Sequence, residues 1–283
     1  MTGTTIGLLN PGEMGSVVGA CARGAGARVV WASEGRGGQT RERAIKAGLE
    51  DVGTLDALVA ASEVILSVCP PHAALDVARQ VAARRFSGLY VDGNAVAPAT
   101  SREIGTVVEA GGATFVDGGI VGLPPQKPGT TRLFLSGKAA PRVAGLFAGS
   151  ALDVVTLDGP AGAASALKMA YASWTKGTSA LIMAIRALAA SEGVEEALVQ
   201  EWQRSHPELP ARSESAVRGS ARKAWRFVGE MEEIAATFAG AGLPDGFHRA
   251  AGEIFQRLSR YKDAPAPPTP AEVSATLAPP RRD

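Results

Sequence analysis

The chain has few of the residues that most often indicate a metal site or a disulfide framework. Its 283 residues include 2 cysteines and 3 histidines, and 5% of them are aromatic. Cys21 and Cys69 lie inside apolar segments without metal-ligand spacing. We therefore predict two reduced core thiols, no metal site and a cytoplasmic location. The 29 basic and 28 acidic residues almost cancel, which argues against a nucleic-acid-binding surface.

Long apolar runs without charge are also missing. The apolar start breaks at Asn10-Pro11-Gly12, which argues against a signal peptide. The longest apolar helix candidate, residues 161–190, carries Lys168, Lys176 and Arg186, whereas a transmembrane span tolerates few charges. We expect a globular protein that does not associate with a membrane.

The first strand candidate ends in a glycine turn typical of phosphate-binding loops. The pattern G-x-G-x-x-G falls on Asn10, Gly12 and Gly15, between an apolar run and a small-residue helix. Gly12 would let the backbone approach a pyrophosphate, and the helix N-terminus would offer N–H groups to it. Asn tolerates left-handed dihedrals, so the turn survives the loss of the first Gly. We assign this turn to a dinucleotide cofactor, held by Asn10, Pro11, Gly12, Glu13 and Met14.

Strand and helix signals alternate through the first half of the chain, and helical signals follow. The alternation predicts an α/β fold, a Rossmann-type doubly wound parallel sheet followed by an all-α C-terminal domain. We place the nucleotide-binding domain at residues 1–158 and the helical domain at 159–263. Residues 264–283 are rich in proline, and we expect a mobile tail there.

The residues after the second strand bear on the choice of cofactor. Ser33 and Arg36 favour NADP, because a hydroxyl and a guanidinium suit the 2′-phosphate. Glu34 would repel that phosphate if it pointed inward, so NAD stays possible, and a solvated charged loop would look the same. After the strand ending at residue 68, we expect Cys69, Pro70 and Pro71 to run past the nicotinamide ribose.

Further candidates follow the later strands. Asn94 could bond the nicotinamide amide or a substrate, although a turn-forming Asn would look the same. The glycines of residues 118–122 predict a loop that approaches a ligand closely. His72 beside two prolines more simply begins a helix. Lys168 lies among apolar residues of a long helix, where it either snorkels to solvent or acts as acid and base. Tyr171 lies on an adjoining part of the same face.

These motifs, taken in order, resemble the β-hydroxyacid dehydrogenase and 6-phosphogluconate dehydrogenase superfamily. Residues 10–15 resemble its G-x-G-x-M-G turn, and residues 92–98 resemble D-x-S-T-x-x-P, with Asn94 at the serine. Residues 117–130 resemble D-A-P-V-S-G-G followed by G-T, with Val121 at the serine and Gly122 kept. Residues 162–168 resemble G-x-G-x-x-x-K, with Ala164 at the second Gly. The last third resembles an uncharacterised phosphogluconate-dehydrogenase-like branch.

The resemblance implies specific roles. Lys168 would exchange a proton with the substrate oxygen while hydride moves to or from the nicotinamide. The residues implied to contact the substrate are Asn94, Val121, Gly122, Tyr171, Lys176 and His248. It also implies a homodimer through the helical domain. Glu230, Glu232 and His248 could then come from the second chain, although a solvated helix face is the simpler interpretation of the glutamates.

Three functions fit these observations. The first is an NADP-dependent oxidoreductase acting on a small hydroxy acid or alcohol, or on its carbonyl form, with Lys168 as general acid/base. The second is an imine or ketone reductase on the same scaffold, although imine reductases commonly lack the lysine. The third is a non-catalytic cofactor-binding sensor, against which the retention of Lys168 argues.

Overall fold

The computed structural model of the protein describes residues 3–278. Contacts between residues divide the chain after Met169 into two compact units. The first unit contains one eight-stranded sheet with the order β3-β2-β1-β4-β5-β6-β7-β8. Its strands are β1 Thr5–Leu9, β2 Arg28–Trp31, β3 Glu50–Asp51, β4 Val64–Ser67, β5 Leu89–Asp92, β6 Thr114–Val121, β7 Arg132–Ser136 and β8 Asp153–Thr156.

Helices of the first unit connect these strands and cover both faces of the sheet. They are α1 Glu13–Gly24, α2 Gly38–Lys46, α3 Leu55–Ala61, α4 Pro71–Ala82, α5 Pro98–Ala110 and α6 Ala140–Ala144. Alternate strand residues enter two separate buried clusters: Leu66 belongs to one and Ile65 to the other. The sequence of a strand that is buried on both faces is a continuous apolar run. The predicted doubly wound fold is confirmed.

One strand pair departs from the predicted parallel arrangement. β6 and β7 are antiparallel, and residues 122–131 connect them without a helix. Antiparallel neighbours need no crossover helix, so this short connection is sufficient. The structure also corrects the predicted glycine loop. Residues 118–121 continue β6 instead of leaving it, and their pairing with β7 uses their backbone groups.

A row of polar residues crosses the sheet near the carboxyl ends of its central strands. The register pairs Ser67 with Asp92, Asp92 with Asp117, and Asp117 with Ser136. All four side chains are buried. Ligands of open α/β sheets bind outside these strand ends, where the strand order reverses. In this sheet the order reverses between β1 and β4.

The second unit is helical. Helix α7, Ala163–Ser191, begins in the first unit and continues into the second, so the division falls inside this helix, later than the boundary predicted at 158. The later helices are α8 Glu195–Ser205, α9 Leu209–Ser220, α10 Ala224–Gly240, α11 Gly246–Leu258 and α12 Pro270–Leu277. No helix within residues 3–278 is both long and apolar enough to cross a membrane.

The proline-rich end of the chain corrects one prediction. Residues 270–277 of the predicted mobile tail form α12, which Thr269 and Glu272 begin with a capping box. Val273 and Leu277 are buried, so this helix contributes to the core of its unit. Proline at the first helical position is compatible with a helix, so the proline content of this segment does not exclude one. Residues 279–283 of the tail lie outside the described residues.

Candidate functional site

The turn between β1 and α1 has the conformation that a phosphate-binding loop requires. Asn10 adopts a φ of 63°, which is the left-handed conformation expected at the altered first position. The Gly12 N–H donates to the Asn10 carbonyl oxygen at 2.7 Å. A Cβ at Gly15 would lie 2.6 Å from that same oxygen, so only glycine lets α1 begin so close to the turn. Pro11 is buried, and Glu13 and Met14 start the helix.

The space beside Gly12 fits the predicted cofactor phosphates. A Cβ at Gly12 would meet no atom within 4 Å, so packing within the protein does not require this glycine. The N-cap residue of α1, Gly12, makes no side-chain hydrogen bond to the helix start. A helix N-terminus offers N–H groups and a positive dipole end, which suit a pyrophosphate.

The loop after β2 is held by Arg41, a residue of α2. Arg41 donates from Nη2 to the Ser33 carbonyl oxygen at 2.9 Å and from Nε to the Arg36 carbonyl oxygen at 3.3 Å. Ser33 is buried, whereas Arg36 and Glu34 are exposed. The structure thus brings Arg41 of α2 to the loop that carries Ser33 and Arg36. Glu34, also on this loop, is directed to solvent rather than into the core.

Cys69, Pro70 and Pro71 follow β4, and Pro71 begins α4. Burial raises the pKa of the Cys69 thiol to about 11, so the thiol stays protonated near neutral pH. The Cys69 N–H donates to Asn94 Oδ1 at 2.5 Å. This loop is thereby fixed to the loop that follows β5.

Asn94 joins strand ends instead of facing open space. Its side chain is 2% exposed, and its Nδ2 donates to Ser67 Oγ at 3.0 Å and to Asp92 Oδ1. An amide nitrogen has two donors, and both are used. The turn-forming interpretation of Asn94 therefore fits better than substrate contact, because the side chain connects the ends of β4 and β5.

Asp117 fixes the start of α7 to the sheet. This carboxylate is fully buried within the polar row, between Asp92 and Ser136, and accepts six hydrogen bonds of 2.6–3.1 Å. Its donors are the hydroxyls of Ser101, Ser136 and Ser165 and the N–H groups of Gly162, Ala164 and Ser165. A negative charge at a helix N-terminus interacts favourably with the free N–H groups and the dipole.

The same helix start carries Lys168 over β6. A Cβ at Gly119 would lie 2.7 Å from the Ala164 carbonyl oxygen and 2.9 Å from Lys168 Cβ. Gly119 therefore lets α7 rest directly on the strand. Lys168 is half-buried, about one and a half turns into the helix. The structure thus brings together the predicted acid/base and the strand that carries the predicted substrate motif.

The other predicted substrate residues of the first unit end this strand. Val121 is its last residue and is 2% exposed. Gly122 has a φ of +120°, and a Cβ there would lie 3.0 Å from Thr131 Cα. The glycine is thus needed for the turn toward β7.

The predicted residues of the helical unit occupy three different environments. Tyr171 is 45% exposed on α7. Lys176 forms an ion pair with Glu230, with 2.8 Å between Nζ and Oε2. His248 is 5% exposed and packs against Phe238 and Phe247, and burial lowers its pKa. An environment of this kind favours the neutral imidazole over a role in binding an anion.

Two functional positions lacked a clear sequence signal. Asp117 opens the second motif, but its carboxylate binds residues up to 48 positions away, which no local pattern reveals. Arg41 lies eight residues after Ser33, and only the fold of α2 returns its guanidinium to the loop. A search for charged residues in the helix that follows a second strand could have found Arg41.

The fold is similar to that of a solved protein that itself resembles 3-hydroxyacid dehydrogenases. Residues 189–258 match a domain model described as a domain of unknown function, DUF1932. The match lies within the second, helical unit. The predicted resemblance, including its uncharacterised C-terminal branch, is confirmed.

A curated relative is also uncharacterised. It is a 28.5 kDa protein from Methanothermus fervidus, encoded in the 7S RNA 5′ region, and is 28% identical over 167 residues. The match covers 59% of this chain and 64% of the relative, less than two thirds of its length.

Solved structures are similar to this chain over most of its length. The conserved protein MTH1747, of unknown function and structurally similar to 3-hydroxyacid dehydrogenases, is 28% identical with a TM-score of 0.68, over 91% of this chain and 98% of that one. Mycobacterium tuberculosis 3-hydroxyisobutyrate dehydrogenase with L-serine is 19% identical with a TM-score of 0.68, over 97% and 99%. Aspergillus terreus reductive aminase with NADPH is 19% identical with a TM-score of 0.55, over 96% and 98%.

Proposed function

We propose that the protein is an NADP-dependent oxidoreductase that interconverts a small hydroxy acid or alcohol and its carbonyl form. The observation that carries this proposal is the position of Lys168. Its helix is anchored by Asp117 and rests on β6 at Gly119. A positioned acid/base needs this kind of rigid support, because small displacements cost much of its effect.

The lysine ammonium donates a proton to the carbonyl oxygen during reduction, and the neutral amine accepts it from the hydroxyl during oxidation. The nicotinamide, when bound, supplies or accepts the hydride. Asp117 does not take part in this transfer, since its oxygens are occupied by donors from the start of α7 and from neighbouring serines. Its role is to position the helix.

The open space at Gly12 and the N-terminus of α1 would hold the pyrophosphate. Ser33, Arg36 and Arg41 favour NADP over NAD, because guanidinium groups attract the 2′-phosphate. The carboxylates of Glu34 and of Asp51, which interacts with Ser33 and Arg41, oppose this preference. The NADPH reported with the reductive aminase is consistent with this choice, as a property of that protein.

A panel of short hydroxy acids and alcohols, assayed with NADP and with NAD by nicotinamide absorbance, tests the proposal. We expect turnover of at least one compound, faster with NADP. Arg36→Gln should weaken NADP binding more than NAD binding. If NADP binds tightly and the whole panel gives no turnover in either direction, the non-catalytic sensor is the better account.

The imine or ketone reductase is a second candidate, since the reductive aminase shares the fold. Lys168 distinguishes the two, because a proton donor beside the reacting oxygen serves carbonyl chemistry. Carbonyl compounds assayed with and without an added amine separate them. Reduction that depends on the amine would favour the second candidate.

The assembly proposed with this function is a homodimer through the helical unit. Large apolar side chains recur along one side of α7, with exposures of 44–61%: Tyr171, Trp174, Leu181 and Leu188. The seven-residue spacing of the last three matches a seam that packs against another helix, and a second copy presents the same seam. Leu181→Glu should convert a dimer to a monomer in sedimentation. Ile45→Glu, at an exposed position of α2, should not.

A further inference from the structure

The helical unit contains a cleft of its own, with a volume of about 350 Å³. Residues of α7, α9 and α10 line it. Its polar lining consists of two cations and four hydroxyl groups: Lys176, Arg212, Thr175, Ser179, Ser215 and Ser220. None of the cleft's lining residues, all of them within the described part of the chain, is a carboxylate. Two cations thus line the cleft, and the carboxylate paired with one of them, Glu230, lies outside the lining.

Lys176 is a largely buried ammonium at one wall of this cleft. It lies 2.8 Å from Glu230 Oε2, and the two side chains are 15% and 17% exposed. Its Nζ is also 5.0 Å from the centre of the Phe227 ring. An ammonium has three donors, so one carboxylate does not saturate it. The cleft gives a second anion access to the remaining donors.

Arg212 is the second cation of the cleft. Its Nη2 donates to Thr178 Oγ1 at 2.9 Å, and its guanidinium carbon lies 5.2 Å from the Trp174 ring. These two contacts orient the guanidinium. Within residues 3–278, no carboxylate forms an ion pair with Arg212. A guanidinium has five N–H donors, and a fixed one can bind a carboxylate or a phosphate through two of them.

We propose that this cleft binds a small organic anion whose carboxylate or phosphate group lies between Lys176 and Arg212. The carbon part of the ligand packs against the apolar lining, which includes Ile182 and Phe227. A volume of about 350 Å³ is at the small end of ligand pockets, which favours a molecule of a few carbons. The site goes beyond the proposed function, because it needs neither the cofactor nor Lys168.

Calorimetric titration of the full chain with succinate, and separately with inorganic phosphate, tests the proposal. We expect saturable binding of one equivalent per chain for at least one probe. Arg212→Gln, at an exposed position that tolerates substitution, should weaken binding about tenfold or more. Glu230→Gln should strengthen it, because the internal competitor for Lys176 is removed. Arg249→Gln removes the same charge from an exposed position of α11 and should change nothing.

The two probes distinguish the two sources of the anion. Tighter binding of succinate identifies a carboxylate site, and tighter binding of phosphate identifies a phosphate site. Failure of the folded chain to bind either probe saturably would overturn the proposal. It would also be overturned if Arg249→Gln weakened binding as much as Arg212→Gln, or if Glu230→Gln failed to strengthen it. Circular dichroism of each variant establishes that it is folded.

Discussion

Gly119 and Lys168 lie so close that a methyl group at position 119 would be 2.9 Å from Lys168 Cβ. The strand and the helix that meet here are fixed to each other by Asp117, two residues earlier on β6. The lysine backbone is therefore positioned by two independent features of one strand. This arrangement fixes the backbone that carries the predicted acid/base to the sheet.

Gly119→Ala should displace α7 from β6. The added Cβ would also lie 2.7 Å from the Ala164 carbonyl oxygen, and neither neighbour is the flexible end of a side chain. We expect a loss of about 1–3 kcal/mol in the free energy of unfolding and at least about a tenfold loss of turnover. Denaturant unfolding and steady-state assays measure both. Gly145→Ala, where a Cβ meets nothing within 4 Å, is the control. Unchanged turnover in Gly119→Ala would show that the function of Lys168 does not depend on the contact between α7 and Gly119.

Gly12→Ala should act on the cofactor and leave the fold intact. The glycine has a φ of −74°, and a Cβ there meets no protein atom within 4 Å. Thermal stability without cofactor should stay the same, while NADP affinity falls about tenfold or more, because the methyl group occupies the place of the pyrophosphate. Gly24→Ala, at the other end of α1, should keep normal affinity. Equal NADP affinities for Gly12→Ala and the parent would refute this location of the phosphates.

Asp117→Asn should destabilise the first unit strongly. The amide keeps one acceptor but presents N–H groups to buried donors that now have no partner. We expect a loss of about 2–4 kcal/mol in the free energy of unfolding. Asp153→Asn is the control, because Asp153 accepts one bond from Gly129 N in an exposed segment and should lose less than about 1 kcal/mol. Comparable losses in the two variants would show that Asp117 is not the anchor.

The sequence predicts the sheet well because each strand is an apolar run bounded by turn residues. It identifies Lys168 because a lysine among apolar residues is unusual on a helix. It could not predict that residues 118–121 remain in the sheet. Glycines are typical both of a loop that follows a strand and of strand positions that a helix approaches closely. The bonds of Asp117 and of Asn94 also depend on strand register, which is a property of the assembled sheet.

The features of the helical unit are harder to predict from the sequence, because they too depend on how its helices pack. The capping box of α12 is visible only if proline is taken as a helix start instead of a break. The cleft beside Lys176 depends on Arg212, which is brought near by the packing of α7 and α9 and not by any motif. The resemblance predicts that His248 contacts the substrate, whereas in the structure it is buried against two aromatic rings.

The stability of the protein should fall in mild acid partly because of His248. Burial lowers the pKa of this imidazole below the ordinary value of 6.5. Above that pH the folded and unfolded chains both hold it neutral. As the pH falls below 6.5 the unfolded chain takes up the proton first, which favours unfolding. Urea unfolding at pH 7 and at about pH 5 measures the difference.

His248→Phe should reduce this loss of stability, because an aromatic ring of similar size replaces a group that must remain uncharged. His206→Asn, at an exposed position, is the matched control and should leave the loss as it is in the parent. The explanation fails if the parent and His248→Phe lose the same free energy of unfolding between the two pH values.

The turnover of Lys168→Ala at saturating NADP tests the central claim most directly. The substitution removes the proton donor and leaves the glycine turn and the Asp117 anchor intact, so we predict an unchanged Kd for NADP and a kcat lower by about 10² or more. Lys168→Arg, which keeps the charge but releases its proton far less readily, should also be slow. A Lys168→Ala variant that binds NADP and turns over at the parent rate would contradict the account.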